Sequence, residues 1–412
     1  MAGLERDARL LFTARAVRMF GYGAVAVILV LYLAALGLDG AAIGALLSLT
    51  LVGDTLISLW LTTRADRLGR RRVLVGGALL MAAAGIVFGL ADALPVLLLA
   101  ATIGVISPSG NEVGPFLAVE QASLSETLPG ARRTSVFAWY NLVGSVATAL
   151  GALVAGSAVT ALRVGGLAEL DAYRAVILGY AGLGLAMAAL FRVVSPAVEA
   201  RAAGARAADA TIRGRLGLQR SRGVVGRLAA LFTLDAFAGG LVMQSLLAYW
   251  FHMTFGVPEA VLGGIFFAAN LLAAASALAA ARIAVRIGLV NTMVFTHLPS
   301  NLLLIAVPLM PTLPLAVLVL LARFSISQMD VPTRQSYTMS VVEPDERSAA
   351  AGVTGIARSL GAAAGSAFAA PLLAVPGLAA VPFFVGGGLK IVYDLALWRA
   401  FRARPVPEPP HR

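Results

Sequence analysis

Thr62-Thr63-Arg64-Ala65-Asp66-Arg67-Leu68-Gly69-Arg70-Arg71-Arg72 sets five arginines and one aspartate between two long apolar stretches, near 40–62 and 73–92. An apolar helix needs about 20 residues to cross the ~30 Å hydrocarbon core of a bilayer, and both flanks are long enough. Working outward from this loop, the same pattern recurs. Apolar stretches near 11–37, 95–119, 134–160 and 174–194 complete a first set of six. Stretches near 228–253, 258–281, 289–310, 314–338, 348–372 and 378–398 make a second six. The reading is an all-α integral membrane protein with twelve transmembrane helices.

Composition agrees. Of 412 residues, 59% are apolar and 13% are charged, and the mean hydropathy is +0.87. A soluble chain carries roughly 25% charged residues. Half that charge cannot coat a water-facing surface of this size, which excludes a soluble enzyme, a disordered chain and a nucleic-acid binder. There is no cysteine, hence no disulfide, no thiolate metal site and no thiol nucleophile. The only histidines are His252, His297 and His411, too scattered for a HExxH-type metal pair. No GxxxxGK[ST] loop is present for a nucleotide. Neither cofactor nor metal is expected, and the chain reads as no enzyme.

The net charge of +11 is informative through its position. With the N-terminus inside, the cytoplasm receives Arg6, Arg9, the five loop arginines, Arg132, Arg133, Arg282, Arg286, Arg347 and the tail arginines. It also receives Arg201, Arg206, Arg213, Arg215, Arg220 and Arg222 of the segment 195–226. The opposite loops hold Arg163 and Arg174. This asymmetry places both termini in the cytoplasm.

The segment 195–226 is the only long break. It divides the chain into an N-terminal six-helix bundle, 1–194, and a C-terminal one, 227–404, followed by a tail, 405–412. The halves repeat each other. Ala65-Asp66-Arg67-Leu68-Gly69 aligns with Ala284-Val285-Arg286-Ile287-Gly288, and Gly44 with Gly263, at an offset of 219 residues. Pro95 and Pro314 share that offset, and Pro115 matches Pro332 at 217. Such repeats mark secondary transporters.

At this point the chain resembles the major facilitator superfamily. The loop motif of that family is Gly-x-x-x-Asp-Arg/Lys-x-Gly-x-Arg/Lys-Arg/Lys, and only its first glycine is replaced, by Thr62. The resemblance implies a cytoplasmic gate built from Asp66, Arg67, Gly69, Arg70 and Arg71. In that gate Asp66 would approach the start of helix eleven, and Arg70 or Arg71 would pair with Glu120. It also implies that helices one, four, seven and ten line the substrate cavity. The arginine within helix four and the late Gly-Pro of helix five found in many drug/proton antiporters are absent.

Ionisable groups in hydrocarbon are costly and face a bundle interior. Counted as helix at 1.5 Å per residue, Glu112 lies about 25 Å below Pro95, and Asp330 about 24 Å below Pro314. Arg18 and Asp235 reach roughly 12 Å in from the other side. Pro108, Gly110, Gly114 and Pro115 interrupt helix four around Asn111 and Glu112, and Pro332 sits beside Asp330. Matched Gly/Pro-interrupted helices in two halves point to a transport site. Desolvation favours the protonated form of a carboxyl in an apolar cavity, so Glu112 leads the proton-coupling candidates, with Asp330, Asp235 and Asp54. Asp330 pairs with Arg334 one turn on. Arg18 either pairs with Glu112 or binds an anionic group. Asp54 is either a proton site or a partner of Arg358, and Lys390 and Asp394 satisfy each other at i,i+4. Tyr22, Asn111, Gln335 and Phe237 complete the substrate-cavity candidates. Trp139, Tyr140, Tyr249 and Trp250 read as interfacial anchors.

The function expected is secondary active transport of a small molecule across the cytoplasmic (inner) membrane by alternating access, as proton-coupled efflux by a monomer. The alternative is proton-coupled uptake of a small organic anion, held by Arg18, Arg334 and Arg358. The partners are the substrate, protons and the lipid bilayer.

Overall fold

The computed structural model describes residues 2–127, 130–195, 199 and 218–402, and the side chains of these except 2–5, 66, 125–127 and 130–135. Most of the basic segment 195–226, the whole tail 405–412 and the side chain of Asp66 lie outside the described residues. Fifteen α-helices and no strand occur among the described residues. They are α1 (Ala2–Ala35), α2 (Gly40–Leu68), α3 (Arg70–Leu90), α4 (Leu94–Ile103), α5 (Phe116–Thr127), α6 (Gly130–Val164) and α7 (Glu169–Arg192). Then come α8 (Arg222–Leu241), α9 (Gln244–Phe255), α10 (Glu259–Ile287) and α11 (Leu289–Ala306). The last four are α12 (Leu313–Ser327), α13 (Asp330–Val341), α14 (Arg347–Ala374) and α15 (Val381–Phe401).

Among the described residues, eleven stretches are long and apolar enough to cross a membrane. The twelfth is the fourth span, whose helical part is the ten-residue α4. It is short because Gly104, Pro108, Gly110, Gly114 and Pro115 keep residues 104–115 out of helix. Two further spans are interrupted without losing length. The seventh is α8 and α9, parted at Val242–Met243, and the tenth is α12 and α13, parted at Gln328–Met329. Breaks four and ten fall where the Gly/Pro pattern put them. Break seven was not anticipated, although Gly239-Gly240 stands just before it.

Local chemistry sets the ends. Asp39 caps α2 by accepting from the Ala42 N–H at 2.7 Å. Gly69, at φ 94°, turns the chain from α2 into α3. Pro95, Pro314 and Pro382 open α4, α12 and α15, where a missing N–H costs nothing.

The chain forms two compact units. The first comprises 1–210 and 243–268, the second 211–242 and 269–412. In the first, α1 packs on α6, α7 and α9, and α3 packs on α7. In the second, α8 packs on α14 and α15, and α11 packs on α12, α13 and α15. Unlike the halves 1–194 and 227–404 drawn along the sequence, the first unit includes α9 and the start of α10. Specific bonds hold them there. Glu259, buried at the start of α10, accepts from Arg163 Nη1 at 2.9 Å and the Tyr173 hydroxyl at 2.7 Å. The Ala260 N–H donates to Thr160 Oγ1 at 3.0 Å.

Candidate functional site

In the first unit α1 presents Arg15, Arg18 and Tyr22 on one face, at i, i+3 and i+7. Arg18 is fully buried. Its Nε donates to Glu112 Oε1 at 2.7 Å. Its Nη1 and Nη2 donate to Glu120 Oε1 and Oε2 at 2.8 and 2.7 Å. This parallel fork is the strong geometry for guanidinium on carboxylate. Arg15 Nη1 meets the other oxygen of Glu112, and its guanidinium lies 4.8 Å from the ring centre of Tyr140. The Tyr140 hydroxyl donates to Glu120 Oε2. Two arginines thus meet two glutamates with a tyrosine closing the shell.

This arrangement corrects two expectations. Glu120, on α5, is held by Arg18 and Tyr140 rather than by Arg70 or Arg71. Tyr140 is fully buried and is no interfacial anchor. At the loop motif, the backbone N–H groups of Arg70 and Arg71 donate to the Glu199 carboxylate at 2.7 and 3.3 Å, so an acid sits on the positive end of α3. Arg67 is exposed and Arg70 buried.

The break that carries Glu112 is held by bonds from several helices, which a non-helical segment at membrane depth requires. Tyr180 donates to the Val105 carbonyl at 2.5 Å, the Ser245 N–H to Pro108 at 3.3 Å, Ser107 to Asn111 at 2.7 Å, and Tyr22 to Val113 at 3.0 Å. The Gly114 N–H donates to Asp54 Oδ1 at 2.6 Å. Gly114 has φ +83°, a conformation that side chains resist. Because the segment is not helical, the depth of about 25 Å computed for Glu112 on a helical rise does not apply.

Asp54 is held by neutral donors. Its partners are the Gly114 N–H and the Ser58 hydroxyl, the latter at 3.1 Å. No cation of the first unit pairs with it among the described residues; Arg358, the partner considered for it, lies in the second unit, 3.5 Å from Asp235.

The second unit holds its own cluster. Asp235, on α8, accepts from Lys390 Nζ at 2.6 Å and from Arg334 Nη1 at 3.0 Å. Arg358 Nη1 lies 3.5 Å from the same carboxylate. Arg334 Nη1 also donates to Asp330 Oδ2 at 2.9 Å, the i,i+4 pair foreseen on α13. Lys390 therefore belongs to Asp235 and not to Asp394. Asp394 instead faces His297 Nδ1 at 2.9 Å and accepts from Asn301 Nδ2 at 2.8 Å, both on α11. The close packing of α8 on α14 sets Arg358 in place. A Cβ at Gly365 would stand 2.1 Å from the Phe237 carbonyl oxygen, so only glycine admits this approach.

Of the remaining cavity candidates, Tyr22 is buried in the first cluster. Phe237 is half-buried, edge-on to Phe368 at 5.9 Å between ring centres. Asn111 and Gln335 are exposed. Sequence reasoning left Arg15, Tyr140, His297 and Asn301 out of the candidate site. Arg15 carried a signal, since it lies one turn before Arg18 on the same face. The other three are ordinary residues in apolar helices and gave none.

Known proteins share this architecture. The uncharacterized membrane protein YJR124C of Saccharomyces cerevisiae is 31% identical over 419 residues, covering 95% of this chain and 93% of that protein. The crystal structure of nucleoside transporter NupG superposes with a TM-score of 0.73 at 15% identity, covering 97% of this chain and 100% of that one. That of a D-xylose-proton symporter gives 0.71 at 16%, covering 95% and 97%. These structural likenesses show the fold. The family model of the Major Facilitator Superfamily matches residues 11–366, and the chain belongs to that superfamily of transporters.

Proposed function

We propose that this multi-pass membrane transporter is a proton-coupled secondary transporter. It would move a small molecule across the cytoplasmic membrane by alternating access, in the direction of efflux, as a monomer with both termini in the cytoplasm. The arginine asymmetry of the loops supports the orientation. The Asp66–Arg71 motif supports a gate on the cytoplasmic side.

One observation carries the proton coupling: among the described residues of the first unit, no cation pairs with the Asp54 carboxylate. Protonating Glu112, Asp235 or Asp330 would strip a buried arginine or lysine of its counter-charge, which is strongly unfavourable. Protonating Asp54 strands no cation. It would weaken the bond that Asp54 makes to the Gly114 N–H, and so release the break that carries Glu112. A proton on α2 would thereby be felt at the centre of the first cluster. Asp54 takes over the leading place that the sequence gave to Glu112.

The test is proton movement in proteoliposomes with an internal pH dye and a panel of cationic, neutral and anionic compounds. The expected result is compound-driven proton flux in the wild type and none in Asp54→Asn. Asparagine can still accept from Gly114 N–H, so the variant should fold with a loss of about 1 kcal/mol or less. Unchanged proton flux in Asp54→Asn, or transport of a compound with no proton movement, would refute the assignment.

A further inference from the structure

The second unit carries more positive than negative charge inside its spans. Its acids there are Asp235, Asp330 and Asp394, and its cations are Arg323, Arg334, Arg358 and Lys390. Among these seven groups one positive charge is left over. Net charge in a low-dielectric interior is costly and calls for a counter-ion.

The surplus can be located. Arg334 is spent on Asp235 and Asp330. Lys390 is spent on Asp235, at 2.6 Å. Arg358 reaches Asp235 only at 3.5 Å, and its Nη1 is buried without a hydrogen bond. Arg323, buried on α12 with its Nε also unbonded, adds to the positive field around Asp235 and Asp330. The side chains of Asp235, Asp330, Arg334 and Lys390 are each at most 8% exposed, whereas that of Arg358 is 36% exposed. Arg323 has no ion pair among the described residues but is buried, so of the two cations with an unbonded nitrogen Arg358 is the one whose side chain is partly exposed. Thr233 Oγ1, bonding the Ala357 carbonyl at 3.3 Å, fixes α14 on α8 beside it.

We propose that Arg358 is a binding residue for a small organic monocarboxylate. The unmatched charge is one, which fits a monoanion. A guanidinium with a free edge takes a carboxylate through two parallel N–H···O bonds. Of the three arginines first considered for an organic anion, Arg18 and Arg334 are spent on internal carboxylates, and Arg358 is the one left to a ligand. The proposal rests on the reading of the chain as a small-molecule transporter, and names the charge of what that transporter carries.

The test is thermal unfolding of the purified full-length protein in detergent at constant ionic strength, titrated with sodium acetate, sodium benzoate, benzamide and sodium phosphate. A monocarboxylate should raise Tm saturably in the wild type, and benzamide should not. Arg358→Gln should abolish the shift. Arg358→Lys keeps the charge and loses the fork, and should weaken the apparent affinity about tenfold, which keeps the test open if the glutamine variant does not fold. The proposal is overturned if neither carboxylate shifts Tm, if benzamide matches benzoate, if phosphate alone stabilises, or if Arg358→Lys binds like the wild type. The two readings fail separately. Carboxylate binding through Arg358 with no proton flux from any compound would retain this site and end the proton-coupled one. Proton flux driven only by neutral or cationic compounds, with no carboxylate binding, would do the reverse.

Discussion

Two buried polar clusters, one in each compact unit, solve the same electrostatic problem differently. In the first, Arg15 and Arg18 meet Glu112 and Glu120, charge for charge, and Tyr140 and Phe116 cover the arginines. In the second, Asp235 alone gathers Lys390, Arg334 and Arg358, and Asp330 shares Arg334. The first is balanced and shut. The second is cationic and opens at Arg358. A balanced cluster has no net charge to offer a ligand, so its work is to hold α1, the break after α4, α5 and α6 in register. An unbalanced one holds its helices less firmly and keeps a charge in reserve. Net charge in each cluster, more than the number of charged residues, separates structural from binding roles.

The comparison is broken most easily at Arg18. Replacing it by methionine strands Glu120, since Arg15 reaches only Glu112. Breaking a buried ion pair costs about 3–5 kcal/mol, so Arg18→Met should lower the unfolding midpoint in detergent more than any other change discussed here. Removing the acid as well, as in Arg18→Met with Glu120→Leu, should recover part of the loss. A single variant as stable as the wild type would mean that the first cluster is not the closed unit its geometry suggests.

The second cluster should yield more softly. Lys390→Met leaves Asp235 with Arg334 and Arg358, and should cost about 1.5–3 kcal/mol, the range for one hydrogen bond to a charged group. Asp235→Asn leaves three cations facing Asp330. Its cost should stay near 2–3 kcal/mol, below the general range for a broken buried pair, because an anion from solution can reach Arg358. Added benzoate should then stabilise Asp235→Asn more than the wild type. Equal stabilisation of both would remove the idea that the second cluster keeps a charge in reserve.

How much of this was legible beforehand follows from the range of each interaction. Spans, repeat and family motif are carried by local patterns, and the eleven long apolar stretches fall where hydropathy put them. The breaks at Pro108–Pro115 and beside Pro332 were legible because proline and glycine act within a turn. The i,i+4 pair of Asp330 and Arg334 was legible for the same reason. Pairings between helices were not. Lys390 seemed to belong to Asp394 at i+4, but Asp235 lies 155 positions away in sequence and takes it. For Asp54, spacing left a proton site and a pair with Arg358 both open, and Glu120 was given to Arg70 or Arg71 by the family resemblance. A charged side chain in apolar surroundings seeks whichever partner packing brings near, and sequence spacing does not encode that. The depth argument for Glu112 failed through geometry, since a helical rise cannot measure a segment that is not helix.

The finest distinction concerns Asp394. It is fully buried, as Arg18 is, but it lies among α11 and α15, and its partners are His297 and Asn301. Neither is hydrogen-bonded to Asp235 among the described residues, so Asp394 should contribute to packing and not to coupling. Asn301→Ala removes the donor at 2.8 Å from Oδ2 and leaves His297 on Oδ1. The loss should be about 1–2 kcal/mol, that of one buried acceptor left without its donor. Compound-driven proton flux should persist at the wild-type rate per folded molecule. Asp54→Asn should behave in the opposite way, nearly as stable as the wild type and without proton flux. If Asn301→Ala lost flux at unchanged stability, the acid on α15 would join the coupling path. The boundary between holding and working groups would then run through the second unit rather than between the two clusters.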